Sequence, residues 1–317
     1  MNEAAIASIP SVALIVVNWN TYGYTKSCLD QAARLAYPHR EVVLVDNGST
    51  DGSGQRLRAE YPDVVFLEND RNLGFTGGNN RGIEYALAKE FRYVFLLNND
   101  TYFQPSFLGI LVDYLEANPR VGAVQPLIFE SNGERPVWHA GGIFNSLTGG
   151  TKSIKRMVEK DKPYASDWLT GCAFLIRTEL VWKIGPLRNA YFAYFEDVDW
   201  SFRVMHAGYS LHIVPKAILH HEVSASTKSK VRQKEGYLSP AAHYLNVRNQ
   251  FLLLKSKPKD LITGIAWPYQ VSKALAVLIY FSVRFRFKKL KAAADGLRDG
   301  LAHHPDSNTP PDISCYL

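Results

Sequence analysis

"VALIVVNW", residues 12–19, is continuously apolar and rich in β-branched side chains as far as Asn18. A strand with one wet face alternates apolar and polar residues, whereas an unbroken run marks a strand covered on both faces, as in parallel sheets. Two further runs share this character, "EVVLVD" at 41–46 and "YVFLL" at 93–97, and they end in the polar loops "NGSTDGS" and "NND". Between the runs, "TKSCLDQAARL" (25–35) and "RNLGFTGGNNRGIEYALAKE" (71–90) bring helical spacing, the second through a glycine-rich entry. Strands alternating with helices predict an α/β fold with a mostly parallel central sheet. Polar clusters at the carboxyl ends of successive strands are where such sheets bind ligands.

Farther along, residues 131–167 are rich in Gly, Ser, Lys and Pro without periodicity, and read as excursions with a mobile loop. "WLTGCAFLIRTEL" (168–180) predicts a strand and then a helix. "EDVDWSFRVMHAG" (196–208) predicts a short helix stopped at Gly208, a residue suited to the left-handed cap. "YSLHIVPKAILHH" (209–221) predicts one or two more strands. Beyond about residue 225 the chain turns helical and basic, and the segment from His303, "HHPDSNTPPDISCYL", reads as disordered.

With 46% hydrophobic and 21% charged residues over 317 positions, the composition is globular and the length suffices for a large core. The three cysteines, Cys28, Cys172 and Cys315, form no CxxC pair, which argues against a zinc site or a disulfide framework and fits a reducing cytoplasm. "MNEAAIASIP" lacks a basic start followed by an apolar run, so no signal peptide is expected. No stretch reaches 18 apolar residues, so no full membrane span is expected. The nearest approach is "ALAVLIYFSVRFRFKKLK" (274–291), where an apolar run enters Arg284, Arg286, Lys288, Lys289 and Lys291. That profile suits a helix in peripheral contact with an anionic membrane, and equally a packing helix with a basic exit. The net charge of +6 suits an anionic substrate or an acidic membrane; no nucleic-acid partner is expected.

Several residue groups could carry chemistry. Asn98 and Asp100 in "LLNND" follow a buried strand with one residue between them. Oxygen ligands at that spacing can share a divalent ion with diphosphate oxygens, and a simple turn cap is the competing reading. Asp46, directly after its strand, can accept hydrogen bonds from a ribose or a base, although the loop around it is ordinary in composition. Gly74, Gly77 and Gly78 allow close backbone approach to a ligand, but their spacing is not GxGxxG, which excludes a dehydrogenase reading. His220 and His221 in "PKAILHHEVSAST" offer an imidazole to a metal otherwise held by oxygen; in a strand they point to opposite faces, so at most one enters a site. Finally "YFAYFEDVDWSFR" (191–203) sets four aromatics before Glu196, Asp197 and Asp199. Like charges that close repel, a cost that a helix N-terminus offsets and that a catalytic base would exploit. Asp199, four residues before Arg203, suits a helical ion pair.

In this order, "VVNWN", "VDNGSTDGS", "NLGFTGGNNRG", "LLNND", "WLTGCAFLIR", "YFAYFEDVDWSFR", "GY" and "PKAILHHEVSAST" make a series that resembles the family-two glycosyltransferases of the GT-A fold. Within that family it is most similar to the bacterial rhamnosyltransferase-like group that builds surface polysaccharides, over roughly residues 10–250. The resemblance implies a Rossmann-like nucleotide-diphospho-sugar transferase fold. It implies inverting transfer of a sugar from a nucleoside diphosphate donor, with dTDP-rhamnose the leading candidate. The acceptor would be a glycan or lipid-linked glycan at the cytoplasmic face of the membrane. Asp197 would take the acceptor proton and Glu196 would orient the acceptor or a neighbouring group. Asn98 and Asp100 match the family's DxD metal motif with its first acid replaced; Asp100 and His221, with His220 the alternative, would hold Mg²⁺ or Mn²⁺. Asn18 and Asp46 would contact the nucleoside, Asn72, Gly77 and Asn80 the diphosphate or ribose, and Arg248 in "YLNVRNQ" a phosphate. Residues 1–225 would form the catalytic domain, with a nucleotide-sugar half at about 10–130 and an acceptor half at about 131–225. A helical, membrane-associating extension over 226–302 and a tail over 303–317 would follow.

Other functions fit less of the chain. A nucleotidyltransferase wants a basic glycine-rich segment just after the first strand, which "VVNWNTYGYTKSC" lacks. A UDP- or GDP-sugar transferase of the same fold is the nearest alternative. A non-catalytic nucleotide- or glycan-binding module is the other, and the intact Glu196–Asp197 pair argues against it.

Overall fold

The computed structural model describes residues 9–131, 136–222 and 238–316. β1 (Val12–Asn18), α1 (Tyr22–Ala33), β2 (Arg40–Asp46), α2 (Ser53–Glu60), β3 (Val65–Glu68), α3 (Gly74–Ala88) and β4 (Tyr93–Leu97) alternate as the apolar runs predict. The four strands lie parallel in the order β4-β1-β2-β3. Alternate residues feed two separate cores: Val12, Leu14 and Val16 join Tyr93, Phe95 and Leu97 on one face, while Ala13 and Ile15 join Val94 and Leu96 on the other. Burial of each large apolar side chain is worth about 1.5–3 kcal/mol, so a one-residue slip that exchanges the faces is strongly disfavoured.

Next come β5 (Thr101–Phe103), α4 (Phe107–Ala117), β6 (Val121–Glu130), β7 (Val137–His139), the hairpin of β8 (Gly142–Asn145) and β9 (Gly150–Ser153), then β10 (Tyr164–Ala165), β11 (Ala173–Arg177), α5 (Thr178–Ile184), α6 (Glu196–His206) and β12 (Ser210–His221). Beyond β4 the sheet continues β11-β6-β12-β10, with β11 antiparallel to both neighbours and β12 parallel to β6. β5 pairs antiparallel with β12, and β7 with β6. The stretch expected as excursions and a mobile loop therefore supplies β7 to β10, while residues 132–135 lie outside the described residues. Strands of two to four residues are too short to display alternation, which is why the pattern hid them.

The chain divides into two compact units. One comprises residues 9–143, 153–187 and 200–222 and carries the ten-stranded sheet. The other comprises 144–152, 188–199 and 238–316, with α7 (Pro240–Lys255), α8 (Thr263–Val283) and α9 (Phe287–Ala302). This differs from a boundary near 225: the aromatic stretch and its acids group with the C-terminal helices. The reason is apolar contact, since Tyr191 packs with Leu252, and Phe192 and Tyr194 pack with Tyr244, Leu245 and Ile313. The first part of the predicted extension, 226–237, lies outside the described residues. The tail expected to be disordered is placed instead. Pro305 and Ile313 are buried, Tyr316 stacks on Tyr244 with ring centroids 5.1 Å apart, and Asp306 pairs with Arg188. Four scattered anchors within a polar, proline-rich segment do not register as a hydrophobic pattern. The predicted basic helix over 274–291 is also corrected, because it breaks at residues 284–286, where Phe285 adopts φ 54°.

Candidate active site

In the sheet-bearing unit, polar residues gather at the carboxyl ends of β1, β2 and β4. Asn18 has no exposed surface; its Nδ2 donates to Asp46 Oδ1 (2.8 Å), Ser53 Oγ (2.9 Å) and Ser49 Oγ (3.0 Å). Its Oδ1 accepts from the Thr25 hydroxyl at 2.8 Å. Asp46 also accepts from the Ser49 hydroxyl (2.6 Å) and backbone N–H (3.2 Å). Asn99 joins the network by donating to the hydroxyls of Thr21 and Thr25, 2.7 Å each. The expected nucleoside contact by Asn18 is thus corrected. A buried amide with both ends engaged aims the Asp46 carboxylate instead.

β5 and β12 pair with Thr101 opposite His221, which brings His221 beside Asp100. His221 Nε2 lies 3.1 Å from Asp100 Oδ1, and both side chains are buried. Neither facing atom has a hydrogen-bond partner of good geometry, nor does His221 Nδ1. Buried polar atoms left unmatched are uncommon and costly, and a carboxylate oxygen beside an imidazole nitrogen is a donor set that Mn²⁺ or Mg²⁺ accepts. Among the described residues no group of three or more His, Cys, Asp or Glu side chains could hold a metal. The residues therefore fit a divalent ion that takes two protein ligands and fills its shell from substrate and water. The Trp138 ring backs His221 at 4.4 Å between centroids, whereas His220 stacks against Phe129 at 5.7 Å. Asn98 is half-buried just before the pair, its N–H donating to the Cys172 carbonyl at 2.9 Å.

Residues of α3 and of its entry are engaged within the protein. Asn72 Oδ1 accepts from Gly74 N–H (2.8 Å) and Asn47 Nδ2 (3.1 Å), and so shapes the helix entry. Asn80, predicted on the diphosphate or ribose, has its amide on the backbone of Leu187, donating to its carbonyl at 2.7 Å and accepting from its N–H at 3.0 Å. A Cβ on Gly77 would stand 2.4 Å from Leu73 Cβ, one on Gly78 2.9 Å from Val17 Cγ1, and one on Gly82 2.5 Å from Ile15 Cγ2. Gly77 and Gly78 thus serve packing of α3 on itself and on β1, not approach to a ligand. An open cleft of about 520 Å³ beside this helix is lined by Glu68, Asn69, Asp70, Arg71, Leu73 and Arg81. The sequence pattern singled out neither of its arginines.

In the helical unit, Glu196, Asp197 and Asp199 occupy the first turn of α6, where the backbone dipole favours them. The aromatics before them are strained: Phe192, Tyr194 and Phe195 have φ of 63°, 70° and 70°. Left-handed conformations in bulky residues cost about 1–3 kcal/mol each and persist only where surroundings enforce them. Asn249 on α7 enforces these, its Nδ2 donating to the carbonyls of Tyr191 (2.9 Å), Ala193 (2.8 Å) and Tyr194 (2.9 Å). Arg248 donates to the Ala190 carbonyl and to Asn249 Oδ1, and is only 2% exposed. Its predicted phosphate contact is corrected, because a guanidinium sealed among these groups supports the loop. Asn249 was missed; a buried Asn in a helix of mixed polarity leaves no periodic signal. Asp199 pairs with Arg188 and accepts from Ser256 Oγ at 2.8 Å, and Arg188 also holds Asp306. Glu196 is buried with Oε2 unmatched, and burial, then the charge of Asp197, pushes its carboxyl well above the usual range. Asp197 itself is partly exposed, with Oδ1 accepting from Val198 N–H at 2.8 Å.

An α/β sheet with polar carboxyl ends, a metal-fitting Asp–His couple and an acid-opened helix behind strained aromatics defines the class, and comparison with known proteins agrees. The family model of Glycosyl transferase family 2 matches residues 13–185, more than half of the chain, which therefore belongs to that family and is a glycosyltransferase. The chain is 30% identical over 210 residues to the N-acetylglucosaminyl-diphospho-decaprenol L-rhamnosyltransferase of Mycobacterium tuberculosis, covering 58% of this chain and 67% of the relative. It is 24% identical to the dTDP-rhamnosyl transferase RfbF of Shigella flexneri, covering 71% of this chain and 74% of that one. These relatives support its place in the rhamnosyltransferase-like group. Among solved structures, the mannosyltransferase PcManGT of Pyrobaculum calidifontis, in complex with GDP-Man and Mn²⁺, superposes with a TM-score of 0.55 at 17% identity, covering 93% of this chain and 88% of that one. GalNAc-T7 with UDP, GalNAc and Mn²⁺ gives 0.57 at 18% identity over 67% of this chain, which spans 43% of that structure. At these identities the structures speak for the fold.

Proposed function

We propose that the protein transfers rhamnose, with inversion, from dTDP-rhamnose to a lipid-linked glycan at the cytoplasmic face of the membrane during synthesis of a surface polysaccharide. The observation that carries this reading is the buried Asp100–His221 couple, whose facing atoms lie 3.1 Å apart without the geometry of a good hydrogen bond. Two relatives named as rhamnosyltransferases supply the sugar, one of them also the dTDP donor, and the other's lipid-diphosphate substrate supplies the acceptor class. When bound to the couple, Mg²⁺ or Mn²⁺ would neutralise charge on the departing diphosphate. Asp46, aimed by Asn18, accepts from the nucleoside, with Asn72 and Asn98 on the donor side. Asp197 accepts the proton of the attacking acceptor hydroxyl. Glu196, held in its acid form by burial, donates a hydrogen bond that orients the acceptor.

Calorimetric titration with dTDP, UDP and GDP, each with and without Mn²⁺, tests the reading. Metal-dependent binding of dTDP above the others is expected, and Asp100→Ala should abolish the metal's contribution. Preference for UDP or GDP replaces the donor assignment, and equal affinity with and without Mn²⁺ in the wild type removes the metal site.

A further inference from the structure

We propose that the outer face of α8, together with the turn into α9, docks on an anionic bilayer surface, with Phe285 and Phe287 as the inserted tip. α8 buries Ala266, Gln270, Ala274 and Phe281, a single face at helical spacing. Its exposed side also carries large apolar residues among Ser272, Lys273 and Ser282: Ile265 is 51% exposed, Tyr269 47%, Leu275 48%, Ile279 64% and Val283 69%. At its end the chain reverses through Phe285, and Phe285 and Phe287 stand 75% and 66% exposed with ring centroids 6.3 Å apart. A soluble surface tolerates scattered apolar residues, but a contiguous strip ending in two exposed phenylalanines marks an interaction site.

Charge identifies what covers it. Between Asp260 and Asp295 the sequence has no acid, yet it has Lys273, Arg284, Arg286, Lys288, Lys289 and Lys291. Of these, Arg284 and Lys288 flank the aromatic tip and are exposed. A second copy of the chain would bring these like charges together, whereas anionic headgroups complement them while the acyl boundary takes the apolar strip. Among the described residues no helix is long and apolar enough to cross a membrane, so the contact is peripheral. Docking is independent of the donor and of the transfer reaction, and would hold if the sugar assignment failed.

Co-sedimentation of the full chain with vesicles tests this. Wild type should pellet with phosphatidylcholine vesicles carrying about a third phosphatidylglycerol, not with phosphatidylcholine alone, and added salt should release it. F285S/F287S should weaken binding at least about tenfold, and R284Q/K288Q about thirtyfold. All four residues are exposed, and circular dichroism with the salt series keeps both variants informative. Equal pelleting without anionic lipid, no pelleting with it, or wild-type affinity in F285S/F287S overturns the proposal. So does a dimer that these serines disperse while vesicle binding stays absent.

Discussion

Asp46 in the sheet-bearing unit and Glu196 in the helical unit are both buried carboxyl groups, 2% and 6% exposed, that differ in hydrogen bonding. Asp46 receives hydrogen bonds from Asn18 and from both the hydroxyl and N–H of Ser49. Glu196 keeps one oxygen unmatched, beside a second acid, in a setting that resists its ionisation. The backbones differ in the same sense. Around Asp46 positive φ falls on Gly48 and Gly52, where it costs little, while before Glu196 it falls on three aromatic residues. A matched network fixes its carboxylate at little cost, whereas an unmatched acid costs about 1–3 kcal/mol that the surrounding fold must offset.

Asp197→Asn is the sharpest way to break this contrast. Turnover should fall about a thousandfold, with dTDP affinity and urea stability unchanged, as general-base loss demands. Unchanged turnover would remove Asp197 as the base. Asn249→Ala should cost about 3 kcal/mol in urea unfolding, because three carbonyls of the strained loop lose their donor, and turnover should drop while nucleotide binding survives. A loss of nucleotide affinity instead would mean that Asn249 does not act through the loop. For the matched network, Asn18→Ala should cost about 2 kcal/mol and weaken dTDP binding while leaving saturated turnover near wild type. Equal loss of saturated turnover would erase the distinction between the two regions.

The smallest effect is the pH response, to which His139 and Glu196 contribute with opposite signs. Burial holds the His139 imidazole down to about 3, against 6.5 ordinarily. Below pH 6.5 the unfolded chain takes up this proton and the folded chain does not, so the contribution of His139 lowers stability by about 1 kcal/mol between pH 7 and 5.5. Glu196, raised above 4.5, keeps a proton that the unfolded chain releases, so its stability contribution declines as pH rises from 4.5 towards its raised pKa. Urea midpoints of wild type, His139→Gln and Glu196→Gln across this range separate the slopes. A Glu196→Gln variant with the wild-type pH profile would mean that Glu196 ionises normally.

Much of the architecture was legible because its causes are local. The runs 12–17, 42–45 and 93–97 are apolar at every position, so no alternative to a doubly covered strand competed. Family membership rested on motif order, and the acids of α6 lay on the surface of the text. The short strands between 137 and 165 were not legible, since pairing partners and not composition define them. The structural surroundings of Asn18, Asn80 and Arg248, which the sequence set beside the donor, were not legible. Each is a buried polar residue engaged by a segment distant in sequence, such as Leu187 for Asn80 and Ala190 for Arg248.

By itself, then, the chain determined which segments become strands and which acids open α6, because period and propensity act over a few residues. Only the tertiary structure decided that His221 faces Asp100, through the β5–β12 register, and that Asn249 holds the aromatic loop. It also decided that the C-terminal segment is anchored through Arg188 and Asp306. Those contacts join residues separated by tens of positions or more, and their worth comes from burial that exists only once each unit has folded.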